Sequence, residues 1–129
     1  MKFILAILFI CIFTWGQAQN PLGGIGQWRS HYSNRNIQHI VEGDDIYVAS
    51  QNQIIKLDQK LNLSWIDKST GLHDIGIASL TWDGNNKQLL VTYQNSNIDI
   101  LQGDQVFNIN AIQLTSLYPN KKINSIEFI

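Results

Sequence analysis

Three histidines are the first residues to ask for chemistry: His31, His39 and His73. They form neither an HExxH nor a His-x-His pair and fall in separate segments, so structural roles are expected for all three. His39 sits between Ile37 and Val41 at alternate positions and is expected to face away from Ile40. The aspartates are scattered at 44, 45, 58, 67, 74, 83, 99 and 104. Asp83-Gly84-Asn85-Asn86 has the look of a calcium loop but lacks its glycine at position 6 and its terminal glutamate. A hairpin turn is the simpler reading.

No GxSxG motif is present for nucleophilic catalysis. Leu22-Gly23-Gly24-Ile25-Gly26 has the glycines of a phosphate loop without the Lys-Ser/Thr that would follow. Asn62-Leu63-Ser64 fits a glycosylation acceptor. Trp28, Trp65 and Trp82 could stack on sugar rings, but between packed sheets they serve more simply as padding. The reading is therefore non-enzymatic, with no catalytic, metal or cofactor residue assigned and the binding residues unknown.

The start of the chain reads as an export leader. Met1-Lys2 precede an apolar run from Phe3 to Phe13, and Gly16-Gln17-Ala18 suits a signal-peptidase site. Eleven apolar residues are too few for a membrane-spanning helix, which needs about 20. Cleavage after residue 18 removes Cys11, the one cysteine, so no disulfide or thiolate zinc site is expected in what remains. Cys11 lies mid-run after Ile10, which argues against a lipoprotein signal. The formal net charge of −1 gives no case for nucleic acid. The expected location is the periplasm or the outer cell surface.

Charged residues make up 15% of the chain, against about 25% in typical domains. Asn and Gln, 25 in all, supply the polar surface instead. No long stretch repeats apolar residues at i, i+3, i+4 and i+7, so long helices are not expected. Short β-favouring runs recur at 27–32, 37–41, 46–50, 53–58, 63–67, 77–82, 88–93, 97–101 and 105–109. A last run opens at Lys122-Ile123. Turns rich in Gly, Asn and Asp join them, too short for helical crossovers, so the sheets must be antiparallel.

Self-comparison gives the organisation. Ile37-x-x-Ile40 matches Ile77-x-x-Leu80 and again Ile123-x-x-Ile126, at offsets of 40 and 46. Residues 46–52 match 89–95, and Ile54 and Leu57 match Ile98 and Leu101. Four strands per unit of about 40–46 residues is the period of a β-propeller blade. A small β-sandwich with an accidental repeat is the alternative. The expected fold is all-β, a partial β-propeller of about two and a half four-stranded antiparallel blades. Its divisions are a signal peptide at 1–18, a segment with a ring-closing strand at 19–36, blades at 37–76 and 77–122, and an opening strand at 123–129. The reading expects the N-terminal piece of a longer protein, because an isolated partial propeller would leave apolar faces and unpaired strand edges exposed.

Thr70-Gly71-Leu72-His73-Asp74, followed by Ile77-x-x-Leu80-x-x-Asp83 and Leu89-Leu90-Val91, resembles the two-component regulator propeller repeat. With the opening Gly26-Gln-Trp28-Arg-Ser-His31-Tyr-Ser33, the stretch from about Ile25 to Ile129 resembles the PorZ family of the type IX secretion system of Bacteroidota. The resemblance implies two stacked seven-bladed propellers and a β-sandwich sorting domain in the full protein, of which this sequence holds neither the second propeller nor the sandwich. It implies a surface attachment complex with the sortase PorU and its partners PorV and PorQ, coupling cargo to anionic lipopolysaccharide. A second reading is the exported, ligand-sensing propeller of a hybrid histidine kinase. A third, a propeller lyase or glycosidase, would need carboxylates at the channel mouth, where Glu42 and Asp83 are the local candidates.

Overall fold

The computed structural model describes residues 31–33, 35–117, 120–123 and 126. In chain order these form β1 (Ile37–Glu42), β2 (Ile46–Ser50), β3 (Gln53–Leu57), β4 (Leu63–Asp67), β5 (Ile77–Asp83), β6 (Gln88–Tyr93), β7 (Ile98–Gln102), β8 (Gln105–Ile109) and the single-turn helix α1 (Ala111–Leu114). They build two four-stranded sheets, β1-β2-β3-β4 and β5-β6-β7-β8, and every neighbouring pair is antiparallel. The eight strands expected between residues 37 and 109 are all present, with ends moved by a residue. β3 stops at Leu57 because the Asp58 carboxylate bends the chain, its Oδ1 accepting from the N–H groups of Lys60 and Asn62 at 2.8 Å each.

Helix α1 was not legible in the sequence, since four residues show no periodicity. The leader at 1–18 lies outside the described residues. So does most of the strand expected at 27–32, of which only His31 and Tyr32 are described, in no strand. Ile123 and Ile126 are likewise described without regular structure.

The sheets are closest where β1 and β2 meet β5, and they splay toward β4 and β8 like neighbouring blades around an axis. Between them one core forms. Tyr47, Ala49 and Ile54 of the first sheet pack with Leu80, Leu89, Val91 and Leu101 of the second, flanked by Val41, Ile66, Trp82 and Val106. Ile54, Leu89 and Val91 are fully buried, each such side chain stabilising the pair by about 1.5–3 kcal/mol. Trp82 is the pad: its ring stacks on Tyr47 with centroids 5.7 Å apart and lies flat on the backbone of Gly43, leaving no room there for a Cβ.

The junction is also hydrogen-bonded. Ile77 N–H, at the start of β5, donates to the Gln51 carbonyl at 2.7 Å, and Gly76 N–H donates to Asn52 Oδ1 at 3.3 Å. Thus the β2–β3 turn of one sheet fixes where the next sheet begins.

Each sheet is apolar on its other face too. Ile40, Val48, Ile55 and Trp65 stand in one cross-strand row of the first sheet, with Ile46, Leu57 and Leu63 in the next. Ile40 is 68% exposed and Trp65 49%. In the second sheet the row is Thr81, Leu90, Ile100 and Phe107. The chain returns toward that sheet after β8: Thr81 Oγ1 donates to the Ile126 carbonyl at 3.2 Å, and Ser96 Oγ donates to that of Lys121. Apolar residues on both faces of every middle strand are what a stacked sheet requires.

Candidate functional site

The linker from Asp67 to Ile77 carries the sequence signature, and its structure explains each residue of it. The Asp67 Oδ1 accepts from Ser69 N–H and Oγ and from Thr70 N–H, which turns the chain out of β4. Gly71 and Gly76 hold φ of 139° and 76°, where a side chain would be strained. Leu72 is buried in the core between the sheets. Asp74 caps the approach to β5 by accepting from Ile75 N–H at 2.9 Å and from the side-chain amides of Asn95 and Asn97. Burial opposes the charge on Asp74, but these donors outweigh it and leave the carboxyl below its ordinary range.

His73 meets a residue 26 positions on. Its backbone N–H donates to Asp99 Oδ2 at 2.8 Å, and its Nδ1 lies 3.0 Å from Asp99 Oδ1. Asp99 is fully buried in β7 and also accepts from the Tyr93 hydroxyl at 2.6 Å and from Asn108 Nδ2 at 2.8 Å. Four donors saturate the carboxylate, which is what makes its burial tolerable. Burial, and then the bond to Asp99, push the Tyr93 hydroxyl far above its ordinary range, so it serves as a donor only. A histidine on a buried aspartate is half of a proton-relay arrangement; here the backbone N–H and Nδ1 both hold the linker on Asp99, and the side chain is half exposed. The arrangement is a latch between a linker and the blade it introduces. Sequence reasoning passed over Asp99, although a lone charge inside the apolar strand Ile98-Asp99-Ile100-Leu101 was a usable signal.

The other candidates are spread out. Glu42 and Asp83 end the innermost strands of successive sheets, β1 and β5. Glu42 is exposed. Asp83 is buried and its oxygens are filled by its own turn: Oδ1 accepts from Asn85 and Asn86 N–H, and Oδ2 from Asn86 Nδ2 at 2.6 Å and Gln88 Nε2 at 3.0 Å. The Asn86 amide foremost holds that carboxyl below its ordinary range. The stretch that looks like a calcium loop is thus an aspartate-capped hairpin turn. His31 is exposed and His39 half-buried opposite Ala49, so the three histidines stand apart. Among the described residues no group of three His, Cys, Asp or Glu could hold a metal ion. Trp82 pads the blade contact, Trp65 lies exposed on the outer face, and Trp28 is outside the described residues.

With this geometry in hand, comparison with known proteins is informative. The model of the PorZ N-terminal β-propeller domain of the type IX secretion system matches residues 46–129. The chain belongs to this family. The match begins at β2 and runs through the second blade, so the latch and the Trp82 pad both lie within the family's own domain. In three dimensions the chain is similar to PorZ, described as an essential bacterial surface component of the type IX secretion system of Porphyromonas gingivalis, a member of the human oral microbiome. The TM-score is 0.62 at 21% identity over 70% of this chain, a likeness of fold. The chain spans 13% of the length of that PorZ structure. No curated protein matches it. The expected PorZ-like, partial β-propeller is the one found: the described residues form two four-stranded antiparallel blades and no closed ring. No helix among the described residues is long and apolar enough to cross a membrane.

Proposed function

We propose that this chain is part of the N-terminal propeller of a non-catalytic type IX secretion component. It acts at the outer surface after export by the leader at 1–18. There it scaffolds a PorU-type sortase with PorV- and PorQ-type partners and presents anionic lipopolysaccharide for cargo anchoring. The blades divide the chain at 37–76 and 77–122. The observation that carries this reading is the family match over residues 46–129, joined to blades of the matching fold. A non-catalytic role is supported by the use of the carboxylates: Asp67, Asp74, Asp83 and Asp99 all accept bonds that shape turns and linkers.

The test is deletion of the gene in its own organism, with the surface attachment of type IX cargo as readout. Cargo is expected to be lost from the surface and regained on complementation. Normal attachment would overturn the reading. Loss of a carbohydrate-induced transcriptional response instead would assign the protein to the kinase-sensor class.

A further inference from the structure

The innermost strands carry a bulge at the same register. In β1 the pairing slips between Ile37 and His39, and in β5 between Ile77 and Ser79, so Gln38 and Ala78 each stand as an extra residue against the partner strand. Bulges re-aim side chains and gather beside binding sites. Here both bulged residues line one hollow of about 450 Å³, together with His39, Ile77, Gln94 and Lys122. The hollow thus lies where β1 and β5 run side by side, at the inner edge of both blades.

Its chemistry is one-sided. The lining offers an ammonium group, an imidazole and two carboxamides, and none of the described residues that form it is acidic. The hollow at the opposite end of β1 differs, being lined by Glu42, Asp44, Asp45 and Asp58. Gln38, Gln94 and Lys122 are exposed, so these donors face solvent, and among the described residues no aromatic ring lines the hollow for a sugar to stack on. A compact ammonium with amide donors around it matches a small oxyanion.

We propose that this hollow is an oxyanion site, taking the carboxylate or phosphate group of a ligand at the inner edge of the blades. Lys122 supplies the charge, and Gln38 and Gln94 supply neutral donors whose positions the bulge and the β6–β7 turn set. The site stands apart from the secretion role, because it is read by binding and that role by cargo attachment.

The experiment titrates the full-length native protein with inorganic phosphate and, separately, with acetate at constant ionic strength. Saturable binding of either is expected. Lys122→Ala should weaken it about tenfold, the equivalent of one lost charge contact, and Gln94→Ala severalfold, while Lys60→Ala should leave it unchanged. Binding of phosphate alone assigns a phosphorylated ligand, and binding of acetate alone a carboxylated one. If Lys122→Ala does not fold, as judged by its circular dichroism, Gln94→Ala and Lys122→Gln decide. Absence of saturable binding by both probes, or equal binding by the variants, overturns the proposal.

Discussion

Asp99 and His73 hold each other across 26 residues of chain: one buried carboxylate takes the histidine's backbone N–H at 2.8 Å and faces its Nδ1 at 3.0 Å. The partnership joins the linker leaving the first blade to the third strand of the second. A linker fixed in this way sets the spacing between blades, which a ring must hold constant.

Replacing Asp99 by alanine removes the acceptor of the buried Tyr93 hydroxyl and of the His73 N–H, while Asn108 Nδ2 keeps its bonds to Asn97 Oδ1 and the Ile98 carbonyl. The expected loss is about 3 kcal/mol, since each buried donor left unmatched costs about 1–3 kcal/mol and some will find water. His73→Ala keeps the backbone bond and should cost about 1 kcal/mol. Urea unfolding of the two variants of the native protein measures both, and equal losses would contradict the latch.

Gly43 lies under the ring of Trp82, with no space for a methyl group. Gly43→Ala should therefore destabilise the blade contact by about 1–3 kcal/mol through overpacking. In the background of Trp82→Val the same change should cost much less. A double-mutant cycle reads the coupling, and additive losses would mean that the Trp82 ring is not the obstacle.

The Tyr93 hydroxyl is held protonated by burial and by Asp99. In the unfolded chain it ionises near its ordinary value of about 10. Above that pH the unfolded state binds fewer protons than the folded one, so stability falls as pH rises further. Its contribution is fully present below about pH 10 and is lost through the alkaline range. Unfolding midpoints between pH 8 and pH 11 should fall more steeply for the native protein than for Tyr93→Phe, and parallel curves would refute the assignment.

The outer face of the first sheet presents Ile40, Ile46, Leu63 and Trp65 to solvent. Residues 19–129 expressed alone are expected to self-associate or to be poorly soluble, because a patch of this kind is a contact surface without its partner. Sedimentation and calorimetry provide the check. A monomer that melts sharply would count against the propeller reading.

Local signals were strong enough to place all eight strands between residues 37 and 109. A β-run between Gly, Asn and Asp turns is decided within a few residues, and the repeat from Ile37 to Ile77 fixed the grouping into fours. The Gly71-Leu72-His73-Asp74 signature was legible as a pattern too, but not as a latch. Its partner Asp99 lies in another blade, and a contact over 26 residues leaves no trace in local spacing. Asp83 could be read as a turn residue, since it caps the chain immediately after it, whereas Asp58 reads as the end of a strand and only the structure shows its carboxylate closing the next turn. The stacking of Trp82 on Tyr47 and Gly43, and the meeting of two bulges around one hollow, come from packing one sheet on the next. Sequence thus determined what each blade is, through short-range propensity and period. Tertiary structure alone decided how the blades meet, because that depends on side chains far apart in the chain filling one shared space.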